Sequence, residues 1–317
     1  MRKISFESIV NLISYEYKTH GNGINNYVTN VKPASEADEF TLIWINPLRS
    51  DKEKLLNETK ANVIICDDSL QLNEFDIHNK VLIQVKNPKL VFIQIVTRFF
   101  VEKPIYGIHP SAIIHNEAVI DENVYIGPLT YIGRSKIGEG TVIYGNVHIY
   151  DNVTIGKNVT IEAGCSIGAT GYNFAKDENG KLYKFPHLGG VIIEDDVDIQ
   201  ALSVIDKGVL EDTIIGKGTK IDSCCYIAHN CKIGENNAII GHTMLSGSVK
   251  TGKNCWISPG AIVRDGIKID SDSFIGMGSI VVSEVKQNSI VMGNPARPID
   301  EMKIILNKFK TFIKNEK

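Results

Sequence analysis

Between Ile215 and Arg297 one position in six is apolar, running Ile215, Ile221, Ile227, Ile233, Ile239, Leu245, then Ile257, Val263, Ile269, Ile275 and Val281. Thr251 alone interrupts the aliphatic series. A six-residue period matches neither the 3.6 of an α-helix nor the 2 of an ordinary strand. It fits a three-sided coil in which each short strand sends one aliphatic inward and each corner carries small or polar residues. Gly216, Gly234, Gly252 and Gly276 follow ladder positions directly, where we expect a corner to need unusual backbone angles. Short repeats of this kind predict a parallel β-helix. Three hexads close one coil, so residues eighteen apart stack at the same corner of successive coils.

An earlier ladder runs from Ile108 through Ile114, Ile120, Ile126 and Ile132, loses one residue before Ile137, and continues to Ile167. It stops at the segment GATGYNF (168–174), and polar and aromatic residues follow as far as Gly190. This predicts a loop thrown out near 170–190, and long ordered loops on repeat scaffolds tend to be functional. The ladder resumes at Ile193, Ile199 and Ile205 and then carries an insertion through Gly208 to Asp212.

Residues 1–102 lack the hexad. Phe6 to Ile13 reads as a short amphipathic helix, His20-Gly21-Asn22-Gly23 as a turn, and Thr41 to Ile45 and Val63 to Cys66 as strands. Leu90 to Phe100 reads as a helix with Pro88 near its start. This is a small α/β domain, with Lys103-Pro104 as its boundary. The coil fills 103–297. In 298–317, Met302, Ile305, Leu306, Phe309, Phe312 and Ile313 share one face of a terminal helix. The fold class is mainly β: a parallel β-helix with an N-terminal α/β domain and one C-terminal α-helix.

With 34 Lys+Arg against 37 Asp+Glu, a net charge of −3, the chain advertises no nucleic-acid surface. No run reaches the roughly 18–20 apolar residues of a membrane span, and Glu7 and Asn11 interrupt the apolar core a signal peptide would need. A cytoplasmic protein is expected. The six cysteines form no CxxC or zinc spacing and read as buried reduced thiols. No set of converging ligands assembles, so no metal is expected.

Among eight histidines His229 stands out, two residues after ladder position Ile227, with Gly247 eighteen residues later. An imidazole one coil below an unobstructed backbone N–H is the minimum for acyl transfer: a base for the attacking group and a donor for the oxyanion. A corner histidine satisfied by its neighbours is the plainer alternative. His242, three residues after Ile239, falls at a different corner phase.

The motifs GATGY (168–172), FPHLGGVII (185–193), IDKGVLEDTIIG (205–216) and IAHN (227–230) together resemble the UDP-3-O-acylglucosamine N-acyltransferase family of lipid A biosynthesis. The likeness covers about the first 250 residues and extends to Ile45-Asn46-Pro47 and Val85-Lys86-Asn87-Pro88 of the N-terminal domain. It implies a left-handed coil, an exception to the usual right-handed crossover, and a homotrimer with active sites between subunits. It also implies a uridine-binding N-terminal domain, His229 as general base, Gly247 as oxyanion donor and Asn46 as an acceptor-binding residue. The chain departs from the family at Ile43, where an aromatic is usual and Trp44 lies next to it, at Thr170, at Ile267 in place of a second histidine, and in its single C-terminal helix.

WISPGAIV (256–263) and GNPAR (293–297) are similar to a second group, the acetyl-CoA-dependent sugar acetyltransferases. That similarity implies donor contacts from Gly260, Ala261 and Asn294, with Lys286 or Arg297 meeting phosphates. A plain exit turn from the coil is the other reading of GNPAR.

The resulting expectation is an N-acyltransferase acting on a UDP- or dTDP-linked amino sugar for surface-polysaccharide synthesis. Acetyl-CoA or another short acyl-CoA would be the cosubstrate, and no cofactor would be permanently bound. Glu211 or Asp212 would orient His229, and Trp44, Asn46, Tyr172 and Phe174 would hold nucleotide and sugar. The alternatives are a lipid A enzyme taking a 3-hydroxyacyl chain from acyl carrier protein, and a non-catalytic β-helix scaffold.

Overall fold

In the computed structural model, which describes residues 3–21, 27–70, 80–102 and 105–315, the ladder residues point inward. Ile126, Ile132, Ile143, Ile149 and Ile161 are wholly buried, as are Ile227, Ile239, Leu245, Ile257 and Val263. The turns at Asn22-Gly23, the boundary Lys103-Pro104 and the side chain of Ile313 lie outside the described residues. The chain forms two compact units, Met1–Lys103 and Pro104–Lys317.

The second unit is a left-handed parallel β-helix of two- to five-residue strands stacked into three sheets of eight, nine and eleven strands. Register holds coil to coil: Ile205 pairs Ile227, Ile227 pairs Leu245, and Leu245 pairs Val263 on the nine-stranded face. Inward neighbours from adjacent coils therefore stack along the axis, and most strand N–H groups find a carbonyl in the adjacent coil.

The corners work differently from the sequence expectation. Positive φ falls three residues before most ladder positions, where Asn123, Asn158, Asn230, Asn236 and Asn254 sit, joined by several glycines. Asparagine tolerates the left-handed region better than most residues. The glycines that directly follow ladder positions are needed for space instead. A Cβ on Gly216 would meet the Gly234 carbonyl carbon at 2.5 Å, and one on Gly234 would run into Gly252. The backbones of successive coils simply approach too closely there.

Thr251 is in the ladder because it has polar company. Asn237, 1 % exposed, sends its amide to Thr251 Oγ1 (2.8 Å) and to the carbonyls of Gly234 and Gly252, and accepts from Cys255 N. Gly234 N–H also donates to Thr251 Oγ1. Buried thiols fill similar space: desolvation pushes Cys231 up to about 12 and Cys225 to about 11, which keeps them protonated and inert.

The excursion after Ile167 is a hairpin, Phe174–Lys176 against Leu182–Lys184. The coil ends in a helix over Ile299–Asn315, whose Ile305, Leu306, Phe309 and Phe312 are exposed.

The first unit is a five-stranded sheet. Its strands are β1 (Tyr17–His20), β2 (Asn30–Val31), β3 (Thr41–Trp44), β4 (Val63–Cys66) and β5 (Val81–Val85), in spatial order β1-β5-β4-β3-β2. All but β1 run parallel. A helix, α1 (Pro88–Phe99), packs Val91 and Ile95 on one face against Leu42, Val63, Ile65 and Ile83. It starts two residues earlier than the apolar pattern suggests, because Asn87 caps Leu90 N and Pro88 occupies the first turn. The opposite face buries Ile43, Ile45, Ile64 and Leu82 under Leu56.

Thr251→Val is expected to destabilise the coil by about 1–3 kcal/mol, because the Gly234 N–H and the Asn237 amide lose an acceptor in a dry interior. Denaturant unfolding measures this, with Thr251→Ser retaining most of the stability.

Candidate active site

His229 lies on the corner between the nine-stranded and eight-stranded faces, between Tyr226–Ile227 and Lys232–Ile233. Its Nδ1 is 3.0 Å from Asn230 Oδ1. That oxygen also accepts from Val209 N at 3.0 Å, so the side chain is oriented with oxygen, not nitrogen, toward both. An amide oxygen only accepts, hence Nδ1 carries the hydrogen and Nε2 keeps its lone pair. Asn230 reaches this position because its own backbone is in the left-handed region, φ 61°.

Gly247 sits one coil above. A Cβ there would come within 2.7 Å of His229 Cε1 and 2.9 Å of Nε2, and 2.6 Å from Asp265 Oδ1. Only glycine leaves the imidazole its place. The Gly247 N–H makes no hydrogen bond among the described residues, while its carbonyl accepts from Gly266. The bare Nε2 and the unpartnered N–H thus share one corner.

On the other side of the ring three residues unforeseen from the sequence close in. His187, 5 % exposed, holds Phe185 O through Nδ1 (2.9 Å) and sets its ring edge-on to His229, with centroids 5.4 Å apart. Burial lowers its basicity. Asp206, 4 % exposed, accepts a 2.6 Å hydrogen bond from Tyr226 Oη. Burial raises the Asp206 carboxyl above the usual range, and burial together with the bond to Asp206 pushes the Tyr226 phenol up, so it stays protonated as the donor. The Cβ that Gly171 lacks would be 3.0 Å from Asp206 Oδ2, 3.1 Å from His229 Cδ2 and 3.2 Å from His187 Nε2.

These side chains are assembled by the two irregularities of the repeat. The return of the hairpin bonds to the insertion, Leu188 N and Gly189 N to Val209 O, and Gly208 N and Thr213 N to Gly190 O. Val209 N then reaches Asn230. The excursion, the insertion and His229 are one connected unit.

Glu211 and Asp212 do not orient His229. Glu211 is exposed and faces Lys232 at 3.4 Å, while Asp212 caps Gly190 N. Asn230 fills that role, because it is adjacent in the chain and turned by its corner backbone. The residues expected to bind the donor do not gather beside His229 within one chain. Gly260 and Ala261 lie on the edge between the eleven- and nine-stranded faces, Asn294 in the turn after Met292, and Arg297 in the end strand of the eleven-stranded face, whereas Lys286 follows the bridge from Val285 to Ile269 of the eight-stranded face. The Ala261 side chain is wholly buried in the core. Gly293–Ala296 turns the chain between Ile290–Met292 and Arg297–Pro298, and Arg297 pairs with Glu301 at 3.8 Å.

Tyr172 (75 % exposed) and Phe174 form an exposed ring pair, centroids 4.8 Å apart, beside Gly171. In the first unit Asn46 is exposed just past the carboxyl end of β3, its Oδ1 accepting from Leu48 N. Trp44 instead packs on Phe92 within the core layer, 6.3 Å between centroids. At the carboxyl end of β5, Tyr15, Glu16, Lys86, Asn87 and Leu90 line a cleft of about 230 Å³. Ligands of parallel sheets bind at this edge. Among the described residues no helix is long and apolar enough to cross a membrane, and no group of three or more His, Cys, Asp or Glu is arranged to hold a metal ion.

If Asn230 fixes the tautomer, ¹⁵N spectra of labelled histidine should show His229 protonated at Nδ1 alone. In Asn230→Gly, which keeps the corner backbone relaxed, both tautomers should appear.

The chain is similar to known proteins. Residues 134–169 match the family of bacterial transferase hexapeptide (six repeats). The chain is 48 % identical over 90 residues to a UDP-3-O-acylglucosamine N-acyltransferase of Campylobacter lari, covering 28 % of each chain. It is 37 % identical over 215 residues to the protein of that name from Coxiella burnetii, 62 % of each. The match thus spans between about a quarter and two-thirds of these curated relatives. In three dimensions it is similar to UDP-N-acetylglucosamine O-acyltransferase from Moraxella catarrhalis, with 28 % identity, a TM-score of 0.56, and coverage of 60 % of this chain and 73 % of that one.

Proposed function

We propose that the chain is an acyltransferase that moves an acyl group from a thioester to the amino group of a UDP-linked amino sugar, with 3-O-acylated glucosamine as the acceptor. The observation that carries this reading is the bare Nε2 of His229 beside the unpartnered N–H of Gly247. The amine attacks the thioester carbon, and the carbonyl electron pair moves to oxygen, where Gly247 N–H receives it. His229 Nε2 takes a proton from the amine, and Asn230 Oδ1 continues to hold Nδ1–H as the ring becomes charged. Collapse restores the carbonyl and expels the thiolate, which takes the proton from His229.

The names of the curated relatives support this acceptor, and they favour the lipid A reading over the acetyl-CoA reading. The structural job of Gly293–Ala296 as a hairpin turn also removes a reason to see a coenzyme site there. We therefore place 3-hydroxyacyl carrier protein first as donor and acyl-CoA second. The carboxyl edge of the N-terminal sheet, with Asn46 and Lys86, offers the nucleotide site, and Tyr172 and Phe174 offer apolar faces to the sugar. A homotrimer accounts for the apolar outward columns of the coil, where Trp256 stacks on Phe274 and Met244 lies beside Ile262, all at least 38 % exposed.

Free-thiol release with UDP-3-O-acylglucosamine should be seen with 3-hydroxyacyl carrier protein. Release with acetyl-CoA alone would restore the acetyltransferase reading. His229→Ala should cut kcat by about 10²–10⁴-fold and leave acceptor affinity nearly unchanged. Retained kcat would refute the assignment of the base.

A further inference from the structure

Two buried acceptors, His187 Nε2 and Asp206 Oδ2, lie beside Gly171, and among the described residues the first has no donor. His187 spends its Nδ1–H on Phe185 O, so Nε2 presents a lone pair, and this buried atom has no partner. Asp206 Oδ2 accepts only from Tyr226, at a distance typical of an O–H···O⁻ bond to an ionised carboxylate. No hydrogen bond or ion pair joins His187 to Asp206, yet both lie about 3 Å from the position of the missing Gly171 Cβ, as does the Cδ2 edge of His229. Cδ2 adjoins Nε2 in the imidazole ring, and Cε1, on the other side of Nε2, faces Gly247. A nucleophile in front of Nε2 therefore has the oxyanion donor on one flank and the two buried acceptors on the other.

We infer that Asp206, held by Tyr226 and flanked by His187, accepts a hydrogen bond from the amine hydrogen that His229 does not take, and so selects an amine over a hydroxyl as the acceptor. This rests on the transferase reading above and specifies its acceptor chemistry. A neutral amine brings two hydrogens. One goes to His229 Nε2 as the new C–N bond forms, and the other stays on nitrogen, bonded to Asp206, and remains in the amide product. A hydroxyl brings one hydrogen, which His229 takes, leaving the buried carboxylate short of a donor. Sites built around such a hydrogen bond reject ligands lacking it strongly. The upward shift of Asp206 has the same origin, since a desolvated carboxylate with one donor gains from another.

The test compares a UDP-linked 2-amino sugar with its 2-hydroxy counterpart, by calorimetry without thioester and by kcat/KM with it. The parent protein should prefer the amine in both. Asp206→Asn, equal in size, should lower the amine-to-hydroxyl ratio about 10- to 100-fold, with Tyr226→Phe lowering it less. A general loss of structure would reduce both acceptors alike, so an unchanged ratio in Asp206→Asn overturns the inference, as does equal parental affinity for the two. Preferential binding of the amine, lost in Asp206→Asn, without turnover of any thioester would overturn the transferase reading and leave the role of Asp206 standing. Binding of neither sugar would end both.

Discussion

The close stacking of one coil's backbone on the next is the constraint from which the rest follows. It demands an inward aliphatic every six residues, excludes Cβ atoms at positions such as Gly216 and Gly234, and favours asparagine at the left-handed corner. It also sets the geometry of the site. Because coils repeat every eighteen residues, a histidine at one corner looks directly at whatever stands eighteen positions on, and at Gly247 that is bare backbone. The same stacking makes polar substitutions in the ladder expensive unless a partner is built in, as Asn237 is for Thr251.

Much of this was legible in the chain because a strict period converts sequence distance into spatial distance. His229 and Gly247 could be placed together by counting alone, and so could the hairpin and the insertion as interruptions. Counting fails at those interruptions. His187 returns from an excursion whose length has no fixed phase, and the insertion lies between Asp206 and His229, so counting in eighteens sets neither beside His229. Two signals were present: the histidine in FPHLGG lies at the foot of the loop, and Tyr226 and Asp206 flank stacked ladder residues. An acidic residue one coil below is the usual partner for an imidazole, but Glu211 faces Lys232, and the neighbouring asparagine at positive φ stands at His229 Nδ1 instead.

The glycine-rich ending shows a different limit. GNPAR reads as a coenzyme contact by resemblance and as a turn by composition, and the hairpin from Ile290 to Pro298 satisfies the second on its own. Trp44 is similar: next to the position where an aromatic is usual, it nevertheless belongs to the face of β3 that packs on α1. A strand's alternation decides which way a ring points, and one residue of displacement reverses it.

A stack in which each coil touches only its neighbours frays from its ends, as a rod melts rather than as a drop does. On the nine-stranded face Tyr226–Ile227 has three strands to one side and five to the other. The corner that carries His229 therefore sits in the part of the stack that opens last. Loosening of the terminal coils, where Ile108 is half exposed and the last helix leaves its apolar side uncovered, can proceed without disturbing it.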